Sequence, residues 1–286
     1  MPGIPPILAT VQAGVAFGGL VALLLVESAH PFFALFRDRR ERGVHLLRNL
    51  ALGLVNAAVV ALVFAGLWVL AAAWADERGL GLLNVLRNTV GLPGWAHLIG
   101  AVLLFDVWTY TWHRLNHRVP FLWRFHRLHH ADAEMDVTTA SRFHVGELAL
   151  SSALRIPLIV LIGAYAWELL VYETMMFAVV QFHHANVGLP PALDRALRAV
   201  IVTPAMHKVH HSRLQPETDS NYSSLFSWWD RLFQSFRLRE RPEEIRFGLD
   251  AFDGAEHRTL GGLLRMPLAP VRPPDRKDDP APPGSS

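Results

Sequence analysis

Eleven of the fifteen histidines in this 286-residue chain fall in a few tight groups. His113 and His117 are four apart. His126, His129 and His130 stand at i, i+3 and i+4, and His207, His210 and His211 repeat that pattern. His144 follows the second group, and His183 and His184 precede the third. Residues three and four apart share a helix face, so each group points several imidazoles the same way. Clustered imidazoles repel when protonated and need hydrogen-bond partners when buried and neutral. A divalent metal removes both problems by taking a lone pair from each ring. The chemistry expected is therefore metal binding by His113, His117, His126, His129, His130, His207, His210 and His211. Eight imidazoles could close two tetrahedral zinc sites, or hold two irons with positions left open, and imidazole donors alone do not decide between them.

Two carboxylates lie close to this set. Asp106, Tyr110, His113 and His117 form one stripe at i, i+4, i+7 and i+11, with Asp106 about two helical turns from His113. A ligating histidine commonly donates its second N–H to a carboxylate. Asp106 would find such a partner on another helix, or else serve as a helix–helix hydrogen bond. Glu147, three residues after His144, is placed to orient that ring. Arg114 and Arg142 are read as holding a lipid headgroup, pairing with Asp136 or Glu134, or snorkelling to an interface. The isolated His30, His45, His97 and His257 are read as surface or capping residues.

The elements that must position these groups are strongly apolar. Hydrophobic residues make up 51% of the chain and charged residues 18%, a balance that favours a membrane protein. A net charge of +2 gives no case for nucleic acid, and the absence of cysteine excludes disulfides, thiolate catalysis and sulfur-ligated clusters. Residues 7–26 form an uncharged run long enough for a bilayer core and read as a retained membrane helix. An arginine-rich connection (Arg37, Arg39, Arg40, Arg42, Arg48) leads to a second run at 50–73 and belongs on the cytoplasmic side. A third span is expected at 93–113. The block at 148–180 reads as a hairpin turning near Gly163, with a single tilted helix as the alternative. With the hairpin, all the histidine groups lie on one side of the membrane. A proline-rich end from about Met266 reads as disordered. Only two lysines stand against 25 arginines, a bias that points to a GC-rich bacterial genome.

Here the chain resembles the fatty acid hydroxylase / sterol desaturase superfamily of membrane di-iron enzymes. The motif D-x-x-x-Y-x-x-H-R-x-x-H is similar to Asp106, Tyr110, His113, Arg114 and His117. The motif H-x-x-H-H corresponds to His126, His129 and His130, and T-x-x-R-x-H-P-x-E to Thr139, Arg142, His144 and Glu147. H-x-N corresponds to His184 and Asn186. T-P-x-x-H-x-x-H-H corresponds to Thr203, Pro204, His207, His210 and His211, and N-Y-G…W-D to Asn221, Tyr222, Trp229 and Asp230. Val145, Ser223 and Gln234 depart from the family's proline and two glycines.

The resemblance implies an all-α membrane bundle of about four to five spans with a cytoplasmic histidine-rich cap holding a dimetal centre. It implies membrane helices at 1–92, a catalytic domain at 93–246 and a C-terminal extension at 247–286. Two irons would be held by the eight histidines and His184 as a ninth. His144 and His183 would be ligands or supporting residues, with Asp106, Tyr110, Glu147 and Asn186 in support. Zinc is the alternative occupant of a purified form. The implied reaction is O2-dependent hydroxylation, or desaturation, of a lipid in a bacterial inner membrane, with electrons from a separate donor. A histidine-lined metal transporter and a silent protein with a structural zinc pair are the competing readings.

Overall fold

The computed structural model describes residues 5–270, and every regular element among them is helical. An isolated bridge between Ile201 and Phe226 is the nearest approach to a strand among the described residues. Helix α1 spans Pro6–Ala29, and α2 (Arg39–Val59) continues through a π-turn at Val60–Phe64 into α3 (Ala65–Glu77). Helices α4 (Leu82–Val90), α5 (Gly94–Arg118) and α6 (Pro120–His130) follow. A hairpin of α7 (Val145–Ile162) and α8 (Ala166–His184) comes next, then α9 (Pro191–Leu197) and α10 (Pro204–His210).

Three segments are long and apolar enough to cross a membrane: Pro6–Ala29, a stretch within Arg39–Val90, and Val145–Ile162. Their outward side chains are bare, as with Leu62 at 85% and Phe17 at 73% exposure, which suits lipid rather than water. The expected third span, α5, and the second arm of the hairpin, α8, are less apolar and fall outside this set. Both are internal. Phe105 of α5 stacks on Tyr172 of α8 at 5.6 Å, in the largest apolar cluster.

Gly163 ends α7 in the left-handed region at φ 74°, where a Cβ would lie 2.7 Å from the Leu80 carbonyl oxygen. Glycine therefore permits both the turn and the close approach of the 80–84 segment. The two arms diverge from it. Helix α7 packs chiefly on α3, and α8 on α1 and α5.

Buried carboxylates tie this bundle to its loops. Glu27, near the end of α1, accepts from the backbone N–H groups of Val137 and Asn186 and pairs with Arg42 at 2.9 Å. Asp106 accepts from Trp229 Nε1 at 2.7 Å and from the Phe226 N–H at 3.0 Å. His45 and His97, read from sequence as surface residues, are each 1% exposed. His45 pairs with Asp132 at 2.9 Å and His97 with Glu168 at 2.8 Å, because burial of an imidazole demands a partner.

The disorder expected from about Met266 does not hold for the first residues of that stretch. Met266 and Pro267 are buried in a single turn, and Arg127 of α6 donates to the carbonyls of Met266 and Ala269. The remainder of the proline-rich stretch lies outside the described residues.

Gln234, one of the departures from the family pattern, stands at φ 59°. A non-glycine side chain there costs roughly 1–2 kcal/mol. Gln234→Gly should therefore raise the thermal unfolding midpoint of the detergent-solubilised protein, and an unchanged or lower midpoint would contradict the assignment of strain.

Candidate metal centre

Two groups of histidines converge. In the first, one ring nitrogen from each of His113, His117, His126, His130 and His210 lies within 4.8 Å of the others; in the second, His129, His184, His207 and His211 do the same. All nine histidines expected as ligands fall in one group or the other.

The H-x-x-H-H spacing explains how two groups arise. Successive helical residues are turned by about 100°, so the i and i+4 rings face one way and the i+3 ring another. On α6, His126 and His130 enter the first group and His129 the second. On α10, His207 and the following His211 enter the second group and His210 the first. Each helix thus serves both groups. Rings of the two groups stack directly, His130 on His211 at 4.5 Å. Pro120 and Pro204, each at a helix start, set where these short helices begin.

Hydrogen bonds fix the tautomers. Nδ1–H donates to the Tyr222 carbonyl from His113 (2.8 Å), to Glu147 from His126 (2.8 Å) and to the Arg142 carbonyl from His129 (3.2 Å). The same nitrogen donates to the Val180 carbonyl from His184 (2.8 Å) and to the Ser220 carbonyl from His210 (2.6 Å). A carbonyl only accepts, so Nδ1 holds the proton and Nε2 keeps a lone pair. The Nε2 atoms of all five histidines of the first group are buried without a partner. In the second group, Nε2 of His184 stands 3.2 Å from that of His129 and 3.0 Å from that of His207, and His211 is 3.1 Å from His207. His129 and His184 thus oppose lone pair to lone pair, which a cation between them would relieve. The donor set fits metal. Burial, then the adjacent imidazoles, holds His129, His130, His207 and His211 well below the ordinary histidine pKa, and burial brings His210 down to about 3. These rings are neutral at pH 7, as ligation requires.

The supporting residues differ from expectation. Glu147 orients His126 rather than His144, and also receives Asn116 at 3.2 Å. His144 is outside both groups: it caps α7, its Nδ1 accepting from Gly146 N–H and its Nε2 facing the Leu264 carbonyl, which leaves no lone pair for a metal. Val145 then occupies the first helical position, where the family's proline would fit. Asp106 reaches no histidine, and Tyr110 bonds Ser235 Oγ at 2.8 Å. Asn186 clamps the backbone of Phe33 through both ends of its amide. His183 lies against His207, ring centroids 3.9 Å apart, without joining either group. Arg142 donates to the Leu128 carbonyl and to Asn49, within the buried His45–Asp132 network. His45 and Asp132 of that network also stand close to Glu134, which pairs with Arg258 at 3.5 Å. Sequence alone marks Tyr222 only as part of a motif, yet its ring packs on His113, His117 and His210. Its backbone is set by Asp230, which accepts from the N–H groups of Tyr222 and Ser223.

A cavity of about 710 Å³ opens between the hairpin arms. Its walls are mostly apolar, from α1, the α2–α3 segment, α7 and α8, and its inner end includes His126, His129, His184 and His207.

Residues 98–235 match the family described as fatty acid hydroxylase. The chain is 33% identical over 141 residues to the ornithine lipid hydroxylase OlsE of Rhizobium tropici, covering 49% of this chain and 41% of that protein. It is 29% identical to human alkylglycerol monooxygenase (52% of this chain, 32% of the relative) and 24% identical to human cholesterol 25-hydroxylase (51% and 53%). The chain therefore spans about half or less of the length of these relatives. No solved structure matches it.

Purified protein should bind two metal ions per chain by elemental analysis. His210→Ala and His211→Ala should each weaken a different ion, and Glu147→Leu should weaken retention against a chelator by about 10–100-fold. A single ion, or a Glu147→Leu variant that retains metal like the wild type, would refute this arrangement.

Proposed function

From the premise that residues 98–235 carry a fatty acid hydroxylase domain, we propose that this chain is a membrane di-iron oxygenase that hydroxylates an unactivated C–H bond of a lipid. The observation that carries the reading is the apolar cavity whose inner end is walled by histidines of both groups. A transporter or a structural zinc pair has no use for such a space.

Two irons would be held by His113, His117, His126, His130 and His210 on one side and by His129, His184, His207 and His211 on the other. Iron in these positions supplies O2 activation and oxidation of the C–H bond.

The chain's own part is placement and protection. Tyr222, Arg142, Val180 and Ser220 offer carbonyls, and Glu147 a carboxylate, that aim the imidazoles before any ion arrives. Apolar walls from α7, α8 and α1 hold the lipid against the centre and keep water from it. Catalytic domain 93–246 would follow membrane helices 1–92. The arginines at 37–48 support a cytoplasmic location for the centre in a multi-pass bacterial membrane protein. There it would receive electrons from a separate donor protein.

Protein purified anaerobically with iron should consume O2 when supplied with a reductant and lipid. Isotope-labelled O2 should appear in an alcohol product. His126→Ala and His207→Ala should lower turnover to background. Two ions of zinc that iron cannot replace, with no O2 uptake, would overturn the proposal.

A further inference from the structure

The cavity contains one feature that oxidation chemistry does not use. Arg155 of α7 and Glu173 of α8 form an ion pair across the two arms of the hairpin, and both line the cavity. The guanidinium also lies 5.3 Å from the centroid of the Trp68 ring, and Trp68 donates its indole N–H to the Ser152 carbonyl. The pair is mostly shielded, with side-chain exposures of 11% and 22%. Its hydrogen bonding is incomplete: Arg155 Nε is buried with no acceptor, and only Oε1 of Glu173 is engaged by Arg155.

The position is remote from the histidines. Glu173 precedes His184 by eleven residues on one continuous helix, so at 1.5 Å per residue it stands about 16 Å away along the axis. A buried ion pair is weak evidence for stability, because desolvating both charges offsets much of their attraction. An apolar pair would bridge the arms as well. Placing charge here instead gives a mostly apolar stretch of the cavity wall a charged donor and acceptor well away from the metal groups.

Resting on the oxygenase reading, we infer that Arg155 and Glu173 are a specificity-determining anchor for the polar end of the substrate. The ligand is a long-chain lipid bearing an un-ionised hydroxyl or amide, seated with that group on the pair and its far end at the histidines. The net charge of the pair is zero. A charged headgroup would bring one unbalanced charge into an apolar space, whereas a hydroxyl or amide adds a donor and an acceptor at no charge cost. Glu173 accepts the ligand's O–H or N–H, and the free Nε–H of Arg155 donates to its oxygen. At roughly 1.2 Å per bond of extended chain, the oxidised carbon lies about 13 bonds from the polar group.

The test is binding, read without turnover. Labelled 1-hexadecanol and n-hexadecane are titrated into the full-length, metal-loaded protein in detergent, with partition into micelles subtracted. The wild type should bind the alcohol about tenfold tighter than the alkane, the size of one or two hydrogen bonds. The double variant Arg155→Leu/Glu173→Leu should lose that preference while still binding the alkane. Glu173→Gln leaves the arginine charge unbalanced and should prefer hexadecanoate to hexadecanol, which decides the matter if the double variant does not fold. Equal binding of alcohol and alkane by the wild type would overturn the anchor. So would an alcohol preference that survives in the double variant, or a Glu173→Gln protein with no gain for the carboxylate. A purely structural pair changes stability in these variants and leaves the ratios alone. Loss of the anchor would leave the oxygenase reading intact, and absence of turnover would leave the binding result standing.

Discussion

The structure depends on a repulsion. Nine imidazoles are packed side by side in a buried cluster, and hydrogen bonds set the tautomers of five of them so that the Nε2 lone pairs are left free. Such an arrangement is unfavourable until something positive occupies the gap between the Nε2 atoms. Everything that holds the rings in place, from the carbonyls behind them to the short helices that carry them, works against that repulsion. The interleaving of α6 and α10 sharpens the effect. Because each helix contributes to both groups, neither group can relax by moving one helix away without disturbing the other.

Carboxylates inside the apolar bundle supply the counterforce. Asp106 is a long way from any histidine, yet it holds the 226–229 segment to α5, and the turn at Tyr222 that supports His113 lies immediately before that segment. Asp230 sets the backbone of the same turn. Glu27 plays the matching part on the other side, fixing the N–H groups of Val137 and Asn186, the latter two residues past His184. In a membrane setting these are strong restraints, since an unsatisfied N–H in apolar surroundings costs far more than one in water. These acidic residues are thus spent on backbone geometry, whereas Glu147 meets His126 Nδ1 at 2.8 Å and Asp219 lies 3.5 Å from His117 Nδ1.

What could be read in the sequence follows from the range of each interaction. Helical periodicity is local, so the residues of the histidine groups, the hairpin and its turn at Gly163 were legible. The division of the rings between two groups was not, because it depends on how α5, α6, α8 and α10 face one another. Sequence proximity pairs Glu147 with His144, but His144 is spent on capping α7, whose first turn holds Glu147, and the carboxylate points to His126 instead. His45 and His97 looked isolated because their partners are 87 and 71 residues away. Asp106 misled for the same reason, its donors lying 120 and 123 residues downstream.

The hairpin joins these threads. Had α7 and α8 packed on each other, as two apolar helices on a short turn readily do, the histidines would sit at the end of a closed rod. Each arm finds another partner instead, α3 for α7 and α1 with α5 for α8, and the space left between them becomes the cavity. That space still needs a fixed width, because two arms anchored only at Gly163 and at the metal end would be free to close. The Arg155–Glu173 pair spans the gap between those two anchors, so a single contact both sets the opening and leaves polar atoms exposed to whatever fills it. An apolar pair could also bridge the arms, but only charge does so while keeping a donor and an acceptor turned toward the space.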